Sequence, residues 1–137
     1  APVLHVRYSL SQTSDTPLYL RFGIETVVGF DGGQDLRYCS LRLNGDDTRL
    51  ALGATQEFEG ISRHCADTNL RNLTLITELS RPAFLWQFPL ETITLSEAGF
   101  ERTYQGTVFL HFWNMQLEPN ETWEVNLVQT VQQTATR

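Results

Sequence analysis

Three carboxylates, Glu91, Glu97 and Glu101, fall within the segment Glu91-Thr92-Ile93-Thr94-Leu95-Ser96-Glu97-Ala98-Gly99-Phe100-Glu101. Two carboxyl groups about 5–10 Å apart can cleave a glycosidic bond, one protonating the leaving oxygen and the other acting as base or nucleophile. The aromatic residues Tyr19, Tyr38, Trp86, Tyr104, Trp113 and Trp123 could supply flat faces for a pyranose. A structural reading competes: Glu91 and Glu97, set among Phe88, Leu90, Ile93, Leu95 and Phe100, would accept backbone N–H bonds and order a corner, with Glu101 solvated. Spacing favours the second reading, because catalytic carboxylates normally come from distant strands. Trp123 shares a face with Val125 and Leu127, and Trp86 lies between Leu85 and Phe88, so both are expected in a core. Tyr104 and Trp113 fall near predicted strand ends, where loops of a sandwich converge, and are the candidates for stacking on sugar.

The other constellations are weaker. His64, Cys65 and Asp67 are zinc-ligand types, but neighbouring strand residues point to opposite faces and no second Cys/His pair completes a set, so no metal is expected. Ser62 or Ser96 can be written into a triad with His64 or His111, yet no nucleophile-elbow glycines surround either serine. Asn44-Gly45-Asp46-Asp47 lacks the alternating acids of a calcium loop and reads as a hairpin turn.

The elements that position these residues are strands. Apolar residues alternate at Leu4, Val6, Tyr8, Leu10, at Leu18, Leu20, Phe22, Ile24, at Leu73, Leu75, Thr77, Leu79, and at Trp123, Val125, Leu127, the period of two that marks β-structure. Turn-formers separate these runs at Ser14-Asp15-Thr16-Pro17, Asp31-Gly32-Gly33, Asn44-Gly45-Asp46-Asp47 and Glu118-Pro119-Asn120-Glu121. No window holds a helical apolar face, so at most one turn of helix is expected. Phe84 to Leu95 is uniformly apolar and predicts a strand covered on both faces, with Pro89 at a bulge or edge. Ala98-Gly99 turns the chain into a second strand from Thr103 to Trp113, and Gly106 marks a bulge or a close backbone approach. The expectation is an all-β antiparallel β-sandwich of about eight to ten strands. It occupies residues 1–131 as one domain, with a frayed tail over 132–137.

The 137 residues, 41% hydrophobic, suffice for one core. A net charge of −6 without a Lys/Arg run argues against nucleic acid and anionic membrane as partners. No apolar run approaches the roughly 20 residues of a membrane span, and Ala1-Pro2-Val3-Leu4 lacks the form of a signal peptide. Two cysteines, Cys39 and Cys65, are too few for a disulfide framework and are expected as thiols in a cytoplasmic protein. The sequons at Asn72 and Asn120 carry no weight without a secretory context.

The run Phe84-Leu85-Trp86-Gln87-Phe88-Pro89-Leu90-Glu91-Thr92, with Ser96-Glu97-Ala98-Gly99-Phe100-Glu101 and Tyr104-Gln105-Gly106, resembles the C-terminal region of family-57 glycoside hydrolases, in their α-amylase/4-α-glucanotransferase branch. Trp113 and Glu118-Pro119-Asn120-Glu121-Thr122-Trp123 continue the likeness. Upstream, Phe22-Gly23-Ile24-Glu25 and, more loosely, Asp35-Leu36-Arg37-Tyr38 extend it, from roughly Leu18 to Leu127. The resemblance implies a noncatalytic β-sandwich that braces an N-terminal catalytic β/α barrel of the same protein. No catalytic residue, metal or cofactor is carried onto this chain. Trp86, Phe88 and Phe100 would anchor the corner that Glu91, Thr92, Ser96, Glu97 and Gly99 order, and α-glucan is the alternative partner. The family's sandwich is longer on its N-terminal side, so Leu4 to Leu10 would begin partway through it and leave an edge open to self-association.

Overall fold

A computed structural model describes residues 1–30, 36–68 and 71–133. Among them are eight strands: β1 (Val3–Ser11), β2 (Leu18–Val28), β3 (Cys39–Leu43), β4 (Leu50–Ala51), β5 (Gln56–Thr68), β6 (Leu73–Ser96), β7 (Gly99–Leu117) and β8 (Thr122–Gln133). One 3-10 turn, Leu36–Tyr38, precedes β3. The expected turn at Asp31-Gly32-Gly33 lies outside the described residues. Gln132 and Gln133, placed in the tail by the sequence reading, instead stand in β8 opposite Thr74 and Leu73.

Every strand pair is antiparallel, and β6 organises the whole. Its first part, Leu73 to Leu79, pairs with β8, and its later part, Phe84 to Ser96, pairs with β7, both on the side away from β5. Residues 80–83 lie between those partners, so there the strand passes from one layer to the other, as corner strands of sandwiches do. One layer runs β1-β8-β6-β5-β3-β4, and the other joins β2 and β7 to the later half of β6. Two apolar clusters fill the space between them. Trp113, Leu117 and Ile24 meet Trp123, Val125, Leu127 and Leu79 in the first. Phe109 and Leu85 meet Leu41, Leu52, Ile61 and Ala66 in the second. Among the described residues β1 pairs only with β8, β2 only with β7 and β4 only with β3, so these three strands carry the open edges.

Local chemistry explains the turns and bulges. Asn44 and Gly45 both have positive φ, at 47° and 77°, and Asp46 N–H donates to Leu43 O at 2.8 Å, which is the type I′ geometry that Asn-Gly favours. The Asn44 side chain then serves β5: Nδ2 donates to Gly60 O at 2.9 Å, and Oδ1 accepts from Ser62 and Arg63 N–H. Gly60 and Ser62 lie at the two register shifts, between Phe58 and Ile61 and between Ile61 and Arg63, where neither residue has a partner in the β5–β6 ladder. Asn44→Ala is therefore expected to cost about 2 kcal/mol, through lost hydrogen bonds and a disfavoured φ. Urea denaturation measures this, and an unchanged midpoint would contradict it.

Gly106 has both properties that the sequence suggested. It lies opposite Leu90 beside a register shift, and a Cβ there would come 3.1 Å from Val28 O and 3.2 Å from Val27 Cγ1. Pro89 sits next to that shift and beyond Gln87, the last residue of β6 to pair with β5. Only β7 flanks it there, opposite Thr107, so its missing N–H can disturb at most one ladder.

Candidate functional site

The acidic segment forms the distal end of the β6–β7 hairpin. Ser96 pairs with Gly99 across the turn Glu97-Ala98, with Gly99 at φ 112°. Ser96 Oγ donates to Gly99 O at 3.1 Å and to Glu101 Oε1 at 3.3 Å, and Gln105 Nε2 donates to Thr92 Oγ1. Ser96 thus holds the turn, while Thr92 ties the two strands. Glu91 and Glu97 do not order a corner: both are exposed, and neither side chain accepts a hydrogen bond among the described residues. Glu101 lies opposite Thr94, and Glu91 opposite Tyr104. No register shift falls between Glu91 and Thr94, so residues 91 and 94 point to opposite faces, which separates Glu91 from Glu101. The arrangement gives no pair of carboxylates around one bond.

The expected covering on both faces also stops short. Leu85 and Gln87 are completely buried. Gln87 Nε2 donates to the carbonyls of Leu52 and Ala51, at 2.6 and 3.1 Å, and Oε1 accepts from Gln56 Nε2. The same face continues through Glu91, Ile93 and Leu95 on β6, paired with Tyr104, Arg102 and Phe100 on β7. Past Gln87, β5 no longer accompanies the hairpin. Ile93 is 63% exposed, Leu95 77% and Phe100 79%. Phe100 is therefore not an anchor of this chain's own core, and the sequence pattern failed here because an apolar run records a need for cover without saying what supplies it.

The opposite face of the same strands is aromatic. Phe84 stacks on Phe112 with centroids 5.1 Å apart, Trp86 meets Phe112 edge-on at 5.0 Å, and the Arg21 guanidinium lies 4.8 Å over the Phe112 ring. Trp86 keeps 37% exposure, so it lies on the outer surface rather than in the core. Phe88 is half-buried.

The two residues expected to stack on sugar are engaged inside the fold. Trp113 is buried, stacked on Phe22 at 6.2 Å and edge-on to Trp123 at 5.3 Å. It sits within β7 as that strand pairs with β2, not at a loop cluster. Tyr104 packs against the second apolar cluster, its hydroxyl 2.6 Å from Thr107 Oγ1. Burial raises its pKa.

Two buried polar groups escaped the sequence reading as partners. His64 Nε2 and His111 Nε2 are 2.9 Å apart, with the rings stacked at 5.2 Å, and Phe109 stacks on His64. Ile24 O lies 3.4 Å from His111 Nδ1. With Nδ1–H of His111 donating to that carbonyl, His64 Nε2–H donates to His111 Nε2, and His64 Nδ1 is left as a buried acceptor without a partner. Burial pushes both pKa values down, that of His64 to about 3 with help from His111, and that of His111 to about 4 against the opposing Ile24 bond. Both are neutral. Asp67 accepts two bonds from Arg42, at 2.6 and 3.0 Å, and one from Thr74 Oγ1 at 2.6 Å. Burial alone would raise its pKa; the bonds from Arg42 and Thr74, with the charges of Arg42 and Arg49, outweigh that and lower it. His64 and Asp67 are thus taken up by His111 and Arg42, and Cys39 and Cys65 are thiols. No group of three His, Cys, Asp or Glu side chains suited to a metal forms among the described residues. A cleft of about 610 Å³ opens beside Val28, Phe30, Leu73 and Val131, with a mainly aliphatic lining that suits an apolar side chain better than a sugar.

Comparison with known proteins follows the strand pattern. A model of the family described as "Alpha-amylase/4-alpha-glucanotransferase, C-terminal" matches residues 1–127. Alpha-amylase 1 of Dictyoglomus thermophilum is 30% identical over 127 residues, which cover 89% of this chain and 17% of that protein. The crystal structure of 4-alpha-glucanotransferase from Thermococcus litoralis superposes with a TM-score of 0.61 at 18% identity, over 91% of this chain and 16% of that one. A protein of Synechocystis sp. PCC 6803 shares the fold at a TM-score of 0.64 and 13% identity, over 96% of this chain and 51% of that one. The chain therefore spans about one-sixth of the length of the amylase and the glucanotransferase.

Proposed function

We propose, from the premise that this chain belongs to the family of alpha-amylase/4-alpha-glucanotransferase C-terminal domains, that it serves an α-glucan-acting enzyme as a noncatalytic brace for a catalytic barrel. The observation that carries this reading is the hairpin. Its carboxylates are divided between faces instead of converging on a bond, while its apolar residues Ile93, Leu95 and Phe100 stand uncovered. That is chemistry suited to contact, not to proton transfer. The relatives' names point to an α-glucan as substrate of the whole protein, and their length leaves room for a separate catalytic region.

The test is turnover of α-1,4-glucan by the purified 137-residue chain and by the product of its whole reading frame. The chain alone is expected to be inert and the larger product active. Turnover by the chain alone, or a reading frame without a further folded region, would contradict the proposal.

A further inference from the structure

We infer that the face of the β6–β7 hairpin bearing Ile93, Leu95 and Phe100 is the surface by which this domain docks onto the remainder of its own polypeptide, against a patch of aliphatic and aromatic side chains. This rests on the reading of the chain as one domain of a longer enzyme. Leu95 and Phe100 are cross-strand partners, and Ile93 follows on the same face of β6, so the three side chains form one contiguous patch. The patch prolongs the face that buries Leu85 and Gln87, and among the described residues nothing covers it.

The exposures of 63%, 77% and 79% correspond to apolar surface on the order of 400 Å². That size is typical of a functional patch on a monomer. A second copy is the poorer occupant. Two such patches facing each other would bury on the order of 800 Å², below the roughly 1,200 Å² of a stable interface, and free association costs translational entropy. A covalently joined region is held at high effective concentration, so a patch of this size is enough. In the amylase, of which this chain spans 17%, about five-sixths of the polypeptide is available to supply that region.

Hydroxyl-radical footprinting of the whole reading-frame product, compared with the 137-residue chain, reads the surface directly. Oxidation of Phe100 is expected to fall at least about five-fold in the larger protein. The variant Ile93→Ser/Leu95→Ser/Phe100→Ser should lower the melting of the isolated chain only slightly, through the lost Leu95–Phe100 pair, but shorten the half-life of the larger protein on heating by far more. If that protein acts on α-glucan while Phe100 is oxidised as fast as in the chain alone, the docking assignment is wrong and the proposed function stands. If Phe100 is protected in a protein inert toward α-glucan, the surface stands and the function falls. A chain that sediments as a dimer with Phe100 protected would make a second copy the occupant and overturn the inference.

Discussion

At pH 5 the domain is expected to be about 4 kcal/mol less stable than at pH 7.5, because His64 and His111 are buried as neutral rings and would charge on unfolding. Both histidines have an ordinary value of 6.5 in the unfolded chain, and in the fold they titrate near 3 and 4. Above pH 6.5 both states hold them neutral and the full stability is present. As the pH falls from 6.5 toward the folded values, the unfolded chain takes up protons that the native chain refuses, and stability is lost. The loss at pH 5 depends almost entirely on the unfolded value, since both folded values lie well below it. Urea denaturation at the two pH values measures the difference, and His64→Gln/His111→Gln should flatten the dependence while lowering stability at pH 7.5. Equal stability at pH 5 and 7.5 would show that the rings are not buried neutral.

Asp67→Asn should cost about 2–4 kcal/mol near neutral pH, because it leaves the Arg42 guanidinium without its counter-charge. The Asp67 side chain is 7% exposed and that of Arg42 25%, so solvent offers only partial relief. Arg49, at 3.4 Å from Asp67 and 57% exposed, adds little. Replacing the pair together, as Asp67→Asn/Arg42→Met, should recover part of the loss, since an apolar side chain does not need the partner. The pH dependence has a definite sign. The lowered carboxyl pKa contributes stability present above the ordinary value of 3.8 and lost as the pH falls through the folded one. The deficit of Asp67→Asn relative to the natural chain should therefore shrink in acid below that range. A deficit under 1 kcal/mol at neutral pH would mean that the pair is solvated.

Period-two alternation placed β1, β2 and β8, because in each of these strands one face lies toward the inter-layer core; it also placed the start of β6, although Thr74 and Ile76 on that strand's other face are buried as well. Asn44-Gly45 and Gly106 were legible because their backbone demands are local. The hairpin face was not. Phe84 to Leu95 has the same apolar character whether cover comes from this chain or from outside it, so Phe100 could not be told from a core anchor. The His64–His111 contact joins residues 47 positions apart, and only the packing of β5 against β7 creates it. Trp113 was misplaced for a related reason: β7 continues to Leu117, which puts the indole inside a strand pair instead of at a loop.

The most direct measurement of the bracing role is the heat inactivation of α-glucan turnover by the whole reading-frame product, with and without residues 1–137. The account predicts that the truncated protein keeps its catalytic groups but loses activity on heating at least several-fold faster. Equal half-lives for the two proteins would contradict it.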